Sequence, residues 1–475
     1  MSIQLEERLF IAGKFVEGSG ERLSVINPAT KETIASVHIA GPKEVDAAVD
    51  AAEKAWPAWA DGDPSTRAKA MHKLANLVEE NVESLALAQT MEMGKPLPQS
   101  IMEVYGVAYV YRYFAGAADK VHGKTSLNVP GFLGLEIRQP YGVTAGIIPW
   151  NGPLIMVAWK TAPALATGNA SIIKTSEKSP LSALLFASLI AKAGIPDGVL
   201  SILSGARETG ELLASHMKIR KISFTGSPVA GRAVAQAAAR SNLKTCTLEL
   251  GGKSPVIVFN DCDIEDAVTR VLGGFNQNAG QICVAGTRVY VQDGIFDQFA
   301  QKLAASTEKY SIGDPLQQAT SSGPQVDSLQ HKRILDYIEI GKKEGGKILT
   351  GGLAGDERGY YVKPTIFTDV HDQATINQEE IFGPVVILHK FSSEEEVLKR
   401  ANDTEYGLAA YVFTKDISRA IRFAKALEAG QVGVNTTGNA HPDLAFGGWK
   451  GSGIGRDLGD HAIDAYTEVK TIFIR

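Results

Sequence analysis

Short apolar runs alternate with helical tracts from Tyr141 onward, and this alternation restricts the fold more than any other feature of the chain. Runs such as VTAGII (143–148), ASIIK (170–174) and PVIVF (255–259) show no regular in-out alternation of polar and apolar residues. Such runs are typical of parallel strands whose two faces are both covered by helices. The pattern therefore predicts an α/β fold with the doubly wound parallel sheet of a nucleotide-binding domain.

A second set of alternating elements follows PVIVF and indicates a second α/β domain. We expect helices near 263–277 and 294–309, and strands at RVYVQ, VVILHKF and AAYVFT. A chain of 475 residues is also too long for a single core of ordinary size. Upstream, Pro42 begins a predicted helix over 41–56, and a longer helical tract is predicted over 65–90.

Composition and charge exclude several classes of partner. The net charge is −5 and the basic residues form no run, so nucleic acid is not an expected partner. No stretch approaches the roughly 18 apolar residues that a membrane span needs, so no membrane association is expected. The three cysteines are too few for a disulfide framework and lack metal-ligand spacing. We therefore expect a cytoplasmic protein with free thiols and no metal site.

The stretch KISFTGSPVAGRAVAQAAA (221–239) predicts a strand, a tight turn and a helix. Gly226 lies in the turn, Ser227 is the N-cap and Pro228 opens an alanine-rich helix. Such a turn exposes backbone N–H groups at the positive end of a helix, which is a binding site for a pyrophosphate. An ordinary capped turn has the same sequence features, so this motif alone does not decide between the two.

A second candidate cofactor contact is IIKTSE (172–177), where Lys174 and Glu177 follow a predicted strand. A carboxylate at a strand end accepts hydrogen bonds from ribose hydroxyls and repels a 2′-phosphate. The arrangement favours NAD over NADP, and a solvated surface ion pair is the alternative interpretation.

Three residues are candidates for the chemistry. Cys283, in QNAGQICVAGTR, is either a small packing residue or a nucleophile. Glu249 stands in an apolar run where burial would raise its pKa toward that of a general base, and a capping or ion-paired glutamate is the alternative. Asn151, in GIIPWNGP, follows a predicted parallel strand and is either a turn residue or a donor to a developing oxyanion.

Six motifs in this order resemble those of the aldehyde dehydrogenase superfamily, across essentially the whole chain. They are PWN (149–151), FTGSxxxG (224–231), LELGGK (248–253), GQxC (280–283), EIFGPV (380–385) and FGGxKxSGxGR (446–456). Glu249 and Cys283 also stand 34 residues apart, as the two residues do in hydrolytic members. The resemblance implies an NAD-binding domain over 1–121 and 141–250, a catalytic domain over 251–447, and a β-ribbon oligomerisation arm over 122–140 and 460–475.

By the same resemblance, the chain is an NAD(P)-dependent aldehyde dehydrogenase that forms a thiohemiacetal and then a thioester on Cys283. Asn151 and the backbone N–H of Cys283 would hold the oxyanion, and Glu249 would activate the water that releases the acid. Lys160 and Asp457 match positions tied to proton movement, although the second of these is glutamate in many relatives. The residues that match cofactor-binding positions are Ile148, Trp150, Lys174, Glu177, Gly226, Ser227, Gly231, Glu380 and Phe382.

The resemblance also bears on the substrate and on assembly. Relatives that act on small aliphatic aldehydes often carry a large aromatic residue where this chain has Gly152. With Met156, Trp159 and Phe446 as the other walls, we expect a pocket for an aromatic or otherwise bulky aldehyde. A homodimer or homotetramer is expected, since LEIRQ and KTIFIR have the pattern of exposed edge strands.

Two other interpretations stay open on the sequence. The first is a CoA-acylating or NADP-linked member of the superfamily, against which Glu249 and Glu177 argue. The second is a non-catalytic binding protein of the crystallin kind, which would keep the fold without turnover.

Overall fold

The structure is a computed structural model, and it describes residues 3–475. Its strands in chain order are β1 (Leu9–Ile11), β2 (Lys14–Val16), β3 (Leu23–Ile26), β4 (Thr33–Val37), β5 (Lys124–Ser126), β6 (Leu133–Pro140), β7 (Val143–Ile147), β8 (Ala170–Lys174), β9 (Leu200–Leu203), β10 (Lys221–Thr225), β11 (Thr245–Glu249), β12 (Ser254–Val258), β13 (Gly286–Gln292), β14 (Lys347–Thr350), β15 (Thr365–Thr368), β16 (Val385–Phe391), β17 (Ala409–Phe413), β18 (Gln431–Val434), β19 (Gly453–Ile454) and β20 (Thr467–Ile474). Its helices are α1 (Pro42–Asp61), α2 (Pro64–Glu80), α3 (Val82–Met93), α4 (Leu97–Ala115), α5 (Pro153–Ala166), α6 (Leu181–Ile190), α7 (Arg207–Ser215), α8 (Pro228–Arg240), α9 (Ile264–Asn276), α10 (Phe296–Glu308), α11 (Ser328–Lys343), α12 (Thr375–Gln378), α13 (Glu394–Asn402), α14 (Ile417–Ala426) and α15 (Gly459–Ala465).

An eight-stranded sheet, here called sheet 1, has the strand order β19-β11-β10-β7-β8-β9-β1-β2. Its five central strands, which are β11, β10, β7, β8 and β9, run parallel. Strand β19 pairs antiparallel with β11 at one end of this group, and β1 pairs antiparallel with β9 at the other. Helices α5 and α6 pack on one side of it, and α1, α7 and α8 pack on the other. The predicted doubly wound parallel sheet is confirmed.

The second half of the chain forms a seven-stranded sheet, here called sheet 2, with the order β14-β15-β16-β13-β12-β17-β18. All of its pairings are parallel except that between β14 and β15. The predicted second α/β unit is therefore confirmed as well. Its predicted strands RVYVQ, VVILHKF and AAYVFT are β13, β16 and β17.

The two sheets bring opposite strand ends together. The carboxyl ends of β7, β8, β10 and β11 lead into the loops that carry the predicted site motifs of sheet 1, while the segments that precede β13 and β16 approach from sheet 2. Ligands of open parallel sheets bind beyond the carboxyl ends of the strands. The candidate site therefore lies between the two sheets.

A third sheet has the order β20-β6-β5, and its strands pair antiparallel. Strand β20 pairs with β6 along its whole length and lies at the edge of this sheet. Val469, Phe473 and Leu133 are exposed here, although each is apolar. The edge strand therefore offers both unpaired backbone groups and apolar side chains to a partner.

The predicted helical tract over 65–90 is two helices, because Asn81 ends α2. The Asn81 side chain donates from Nδ2 to the carbonyl of Leu77 at 2.7 Å, and its backbone N–H donates to the same carbonyl at 3.2 Å. A side-chain amide that competes in this way for helix carbonyls favours a helix end. The periodic apolar pattern continues across Asn81, which is why the break was not predicted.

None of the helices in residues 3–475 combines the length and the apolar character that a membrane crossing requires.

Candidate active site

Four predicted site segments follow the ends of neighbouring strands in sheet 1. Asn151 comes shortly after β7, and Lys174 is the last residue of β8. Gly226 directly follows β10, and Glu249 ends β11. Because these strands are parallel neighbours in the order β11-β10-β7-β8, the fold gathers all four segments at one sheet edge.

A cleft of about 570 Å³ extends along this edge and reaches Cys283. Most of the predicted cofactor residues line it, together with Asn151 and Cys283. Those residues are Ile148, Trp150, Lys174, Glu177, Gly226, Ser227, Glu380 and Phe382. Gly231 lies beneath the cleft instead, where a Cβ would come within 2.5 Å of the Leu250 side chain, so its smallness serves the packing of α8 against the sheet.

The outer part of the cleft contains a helix N-terminus and a lysine–glutamate pair. Ser227 caps α8, and its Oγ accepts a hydrogen bond from Ala230 N at 3.3 Å, as the sequence predicts. The first turn of α8 therefore points its positive end into the cleft. Nearby, Lys174 Nζ lies 3.8 Å from Glu177 Oε2, and burial lowers the pKa of this lysine while the Glu177 charge opposes that shift.

The inner part of the cleft is formed by Glu380 and Phe382 from sheet 2. Glu380 accepts a hydrogen bond from Gly252 N at 2.9 Å, and burial raises the pKa of its carboxyl to about 7. A Cβ at Gly251 would lie 2.2 Å from Glu380 Oε2, so the LELGGK motif needs glycine at this position. Phe382 packs edge-on against Trp150, with ring centroids 5.3 Å apart. The cleft thus offers carboxylates that can accept hydrogen bonds from ribose hydroxyls, a helix N-terminus for phosphates, and flat apolar walls for the rings. These three features together fit a dinucleotide.

The loop that carries Cys283 has an unusual backbone. Asn278, Ala279 and Gly280 all have positive φ, at 50°, 55° and 74°. A Cβ at Gly280 would lie 2.2 Å from the backbone carbonyl carbon of Gly383, so the GQxC and EIFGPV motifs meet backbone to backbone. Successive left-handed residues that are not glycine are costly and concentrate at functional sites. The left-handed backbone at 278–279 was not predicted from the sequence, which singled out this loop only through Cys283.

Asn151 is held against the same loop. Its Nδ2 donates to the carbonyl of Gln281 at 2.9 Å, which leaves its second N–H free to point elsewhere. Asn278 donates from Nδ2 to the carbonyl oxygens of Asn151 and Gln281, both at 3.2 Å. Gln281 in turn accepts from Val326 N at 2.9 Å. Sequence reasoning missed Asn278 and Gln281 as positioning residues, although both stand in the motif that surrounds Cys283.

Cys283 is half-buried at the inner end of the cleft. Burial, together with the nearby carboxylates of Glu380 and Glu249, raises the pKa of its thiol to about 12. The thiol of the ligand-free protein is therefore protonated at neutral pH. A thiolate forms here only when a positive charge is added or the pH is raised.

Alkylation of Cys283 in the ligand-free protein is expected to accelerate about tenfold per pH unit from pH 7 to 10 without a plateau, because the thiolate fraction rises in that way below the pKa. Trypsin would release Cys283 in peptide 271–288, whereas Cys246 and Cys262 fall in peptides 245–253 and 254–270. Iodoacetamide labelling followed by peptide mass spectrometry thus measures Cys283 alone. A rate plateau near pH 8 would contradict the raised pKa.

Glu249 lies beyond Cys283, with only 4% of its surface exposed. Its Oε2 has no hydrogen-bond partner among the described residues, and a Cβ at Gly447 would lie 2.7 Å from its Oε1. Burial and the nearby Asp457 carboxylate raise the pKa of Glu249 well above its ordinary value, while Lys160 and Arg456 oppose that shift. Neither the capping nor the ion-paired interpretation of Glu249 fits an unpartnered carboxyl.

Lys160 and Asp457 form a buried ion pair next to Glu249. Lys160 Nζ lies 2.5 Å from Asp457 Oδ2, and both side chains are almost fully buried. The shorter aspartate thus reaches the lysine, although many relatives have glutamate at this position. The two groups that the sequence connects with proton movement lie together.

The predicted substrate pocket residues lie outside the cofactor cleft. Gly152 is the N-cap of α5, and Met156 and Trp159 follow on the same side of that helix. Trp159 packs edge-on against Phe446, with ring centroids 4.8 Å apart. The four predicted residues therefore share the region around the start of α5.

A second glycine in this region was missed by sequence reasoning. An ideal Cβ at Gly152 would lie 3.1 Å from Ile155 Cγ2, and one at Gly106 of α4 would lie 3.6 Å from Ile155 Cδ1. Both glycines therefore border the Ile155 side chain, and a Cβ at Gly152 would also lie 3.7 Å from Glu103 Oε1. A glycine within a helix carries no periodic signal, so Gly106 stood out only once α4 was packed on α5.

Comparison with known proteins agrees with this geometry. The family model described as the aldehyde dehydrogenase family matches residues 15–472. An aldehyde dehydrogenase from Aspergillus niger is 47% identical over 470 residues, which are 98% of this chain and 95% of that protein. Among solved structures, the NAD+ complex of aldehyde dehydrogenase from Bacillus cereus has a TM-score of 0.97 and 41% identity, and the match covers 99% of this chain and 96% of that chain.

An indole-3-acetaldehyde dehydrogenase from P. syringae, solved in complex with NAD+ and IAA, is similarly close. It has a TM-score of 0.98 and 40% identity, and the match covers 100% of this chain and 97% of that chain. The family model and these relatives span almost the full length of the protein, and the motifs that carry the resemblance form one site. The chain therefore belongs to the aldehyde dehydrogenase family of NAD(P)-dependent enzymes, which oxidise aldehydes to carboxylic acids.

Proposed function

We propose that the protein oxidises an aromatic or otherwise bulky aldehyde to the free carboxylic acid, with NAD as the oxidant and Cys283 as the nucleophile. The observation that carries this proposal is the position of Cys283 at the inner end of the cleft, next to Asn151. Glu249, with its unpartnered buried carboxyl, supplies the general base.

In the first stage, Cys283 Sγ attacks the aldehyde carbon and forms a thiohemiacetal. Asn151, whose amide is fixed by Gln281 and Asn278, donates its remaining N–H to the developing oxyanion together with the backbone N–H of Cys283. Bound NAD would supply the acceptor for the hydride that leaves the thiohemiacetal carbon, and its positive charge would favour the Cys283 thiolate over the thiol. Collapse of the tetrahedral species then leaves the acyl group on Cys283 as a thioester.

In the second stage, Glu249 removes a proton from the water that attacks the thioester. A base with a pKa raised toward neutrality suits this task, because it accepts a proton at neutral pH and can release it again. The Lys160–Asp457 pair lies next to Glu249 and is the candidate route for the released proton. A base in this position supports hydrolysis rather than transfer of the acyl group to CoA.

NAD rather than NADP is proposed as the preferred cofactor. Glu177 lines the outer part of the cleft and keeps its carboxylate about 41% exposed, beside Lys174. A 2′-phosphate at this position would meet that negative charge. The B. cereus and P. syringae relatives were both solved with NAD+.

The proposed substrate class rests on the two glycines that border Ile155. Neither Gly152 nor Gly106 carries a side chain that could close a pocket beside Ile155, as an aromatic residue at position 152 would. Trp159 and Phe446 provide aromatic walls for a flat substrate. The P. syringae relative, which is named for an aromatic aldehyde, lends support.

Gly152→Phe is expected to lower kcat/KM for benzaldehyde-type substrates about tenfold to 100-fold, because the ring occupies the space that the substrate needs. The same variant should leave acetaldehyde oxidation within about threefold of the original rate. The control is Gly273→Phe, which adds the same ring on the exposed side of α9, where a Cβ meets nothing within 4 Å. If the unmodified enzyme preferred acetaldehyde tenfold over benzaldehyde, the proposed substrate class would be wrong.

We also propose a homodimer or homotetramer assembled through the sheet of β20, β6 and β5. Its edge strand β20 exposes Val469 and Phe473, which a partner strand would cover. Light scattering of the purified protein should give at least twice the chain mass of 50.7 kDa. A monomer that is fully active would contradict this assembly.

A cytoplasmic location is proposed for the enzyme. All three cysteines are free in the structure, the state that a reducing compartment maintains. Cell fractionation with an antibody against the protein tests this, and recovery from a secreted fraction would contradict it.

The proposed function is tested by following NADH formation with benzaldehyde, hexanal and acetaldehyde, with and without CoA, and by identifying the product. We expect NADH and the free acid in equal amounts, with no dependence on CoA. Formation of acyl-CoA would favour the acylating alternative. Tight NAD binding without turnover of any aldehyde would favour a binding protein that has lost activity.

A further inference from the structure

The side of sheet 1 that faces α5 carries a row of buried polar side chains, and the two stages described above give that row no role. Lys221 and Ser223 alternate along β10, and the parallel register places Thr247 of β11 beside Ser223. On the opposite side of the same strands, Ile222, Phe224 and Leu248 pack in an apolar core. Strands buried on both sides are ordinarily apolar throughout, so the polar row needs a separate explanation.

Lys221 is the charged member of this row and is fully buried. Its Nζ donates to Thr247 Oγ1 at 3.1 Å and lies 4.8 Å from the centroid of the Tyr466 ring. Thr247 Oγ1 donates to Ser223 Oγ at 3.1 Å, and Tyr466 also hydrogen-bonds to Ser223. Hydroxyls and an aromatic ring therefore hold the ammonium, and among the ion pairs of residues 3–475 none joins Lys221 to a carboxylate.

Asp457 and Lys160 act on Lys221 from the segment after β19 and from α5, and the Tyr466 ring covers it. Cys246 of β11 also acts on Lys221, but from the opposite side of the sheet, where it packs with Ile222. The same Asp457 and Lys160 act on Glu249, together with Arg456. Lys221 and Glu249 therefore share their charged neighbours on one side of one sheet.

Lys221 and Glu249 are two buried members of this cluster that have no ion-pair partner among residues 3–475. Lys160 and Asp457 neutralise each other at 2.5 Å. Burial lowers the pKa of Lys221 to about 7, with Asp457 opposing that shift, and burial raises the pKa of Glu249. Thr247, which accepts the hydrogen bond of the Lys221 ammonium, stands two residues before Glu249 on the same side of β11, so the ammonium lies on the path toward that carboxyl.

We propose that Lys221 is a positioning residue for thioester hydrolysis, whose ammonium, held beneath Tyr466 on the same side of sheet 1 as Glu249, keeps the Glu249 carboxylate ionised. This inference rests on the proposed function of Glu249 as the base. Without the ammonium, Glu249 keeps its proton to higher pH, and a protonated carboxyl cannot accept a proton from water. Attack by Cys283 and formation of the thioester do not require the Glu249 base, so loss of the ammonium leaves both steps unchanged.

The test compares Lys221→Met, which removes the charge and keeps the length, with Lys221→Arg, which keeps a permanent charge. For Lys221→Met we expect kcat to fall about tenfold at pH 7 and the midpoint of the kcat profile to rise by about one pH unit. A burst of NADH should appear, at a rate within about twofold of the original, because hydrolysis has become limiting. Lys221→Arg should restore the original midpoint.

The matched control is Lys244→Met, which removes another buried lysine, directly before β11. Lys244 Nζ donates to the Ala214 carbonyl at 2.6 Å and to Ser241 Oγ at 2.7 Å, and neither lies in the polar row. Its kcat profile should keep its midpoint. If Lys221→Met lowered the burst amplitude and kcat in parallel with an unmoved midpoint, Lys221 would be only structural and the proposal would be wrong.

Two further measurements keep the proposal testable if Lys221→Met fails to fold or if aldehydes are not turned over. Thr247→Val removes the hydrogen-bond acceptor of the ammonium and should move the midpoint in the same direction by a smaller amount. In the ligand-free protein, infrared spectroscopy follows the protonated Glu249 carboxyl, which is identified by its loss in Glu249→Gln. That band should persist to higher pH in Lys221→Met or Thr247→Val, and unchanged titration would overturn the coupling whatever the activity of the enzyme.

Discussion

Replacing Cys283 by alanine is expected to lower kcat/KM for every aldehyde by about four orders of magnitude or more, because no covalent intermediate can then form. The three left-handed residues at 278–280 and the contacts of Asn151 with Gln281 are made by the backbone and by other side chains, so they remain in the variant. NAD binding, measured by calorimetry, should therefore stay within about threefold of the original affinity. The loss concerns the chemistry and not the fold.

Cys262→Ala is the matched control for this prediction. Cys262 is also a partly buried free cysteine, and burial with nearby acidic groups raises the pKa of its thiol to about 11. It lies before α9 and outside the cleft, so its removal should leave kcat/KM unchanged. Equal losses in the two variants, or residual turnover above about one percent in Cys283→Ala, would contradict the assignment of the nucleophile.

Glu249→Gln is expected to lower steady-state turnover about 10²-fold to 10⁴-fold, the usual contribution of a general base. The first turnover should survive, because Asn151 and Cys283 carry out acylation. Rapid mixing with aldehyde and NAD should therefore show a burst of NADH equal to the concentration of active sites, followed by a slow phase. In the unmodified enzyme, kcat should rise with pH through the raised pKa of Glu249, since only the ionised form accepts a proton from water.

Glu249→Asp provides the comparison for that variant, since it keeps the carboxylate and shortens its reach. Partial recovery of the slow phase relative to Glu249→Gln would be expected. Loss of the burst together with the slow phase would show that Glu249 is already needed before the thioester forms. That outcome would contradict the division of the reaction into two separately catalysed stages.

The fold and the places of Asn151 and Glu249 in it were predictable because their signals are local. Continuous apolar runs such as VTAGII indicate buried parallel strands. The turn Gly226–Ser227–Pro228 predicts the start of α8 and its N-cap. The carboxyl ends of parallel neighbours meet at one edge, so Asn151 and Glu249 converge once the strands are placed. Cys283 was identified through the order of the motifs and not through the thiol itself.

The parts that could not be predicted depend on contacts between distant segments. Asn278 donates a hydrogen bond to the carbonyl of Asn151, which lies 127 positions away in the chain. No local sequence pattern predicts such a bond. Gly106 matters only because α4 packs on α5 beside Gly152. Lys221 is a strand residue, and its proposed role depends on the Tyr466 ring that covers it and on Asp457 nearby. The sequence thus predicted which candidate groups meet at one sheet edge, but not the contacts that hold them in place.

The central claim is that the acyl group of the substrate passes through Cys283. The most direct measurement is to quench the enzyme with acid during turnover of benzaldehyde and NAD, digest it near pH 6.5 with trypsin, and weigh peptide 271–288. The acyl mass should appear on that peptide, should require NAD, and should accumulate in Glu249→Gln. An unmodified peptide 271–288 in Glu249→Gln during active NADH formation would contradict a thioester on Cys283, and with it the proposed mechanism.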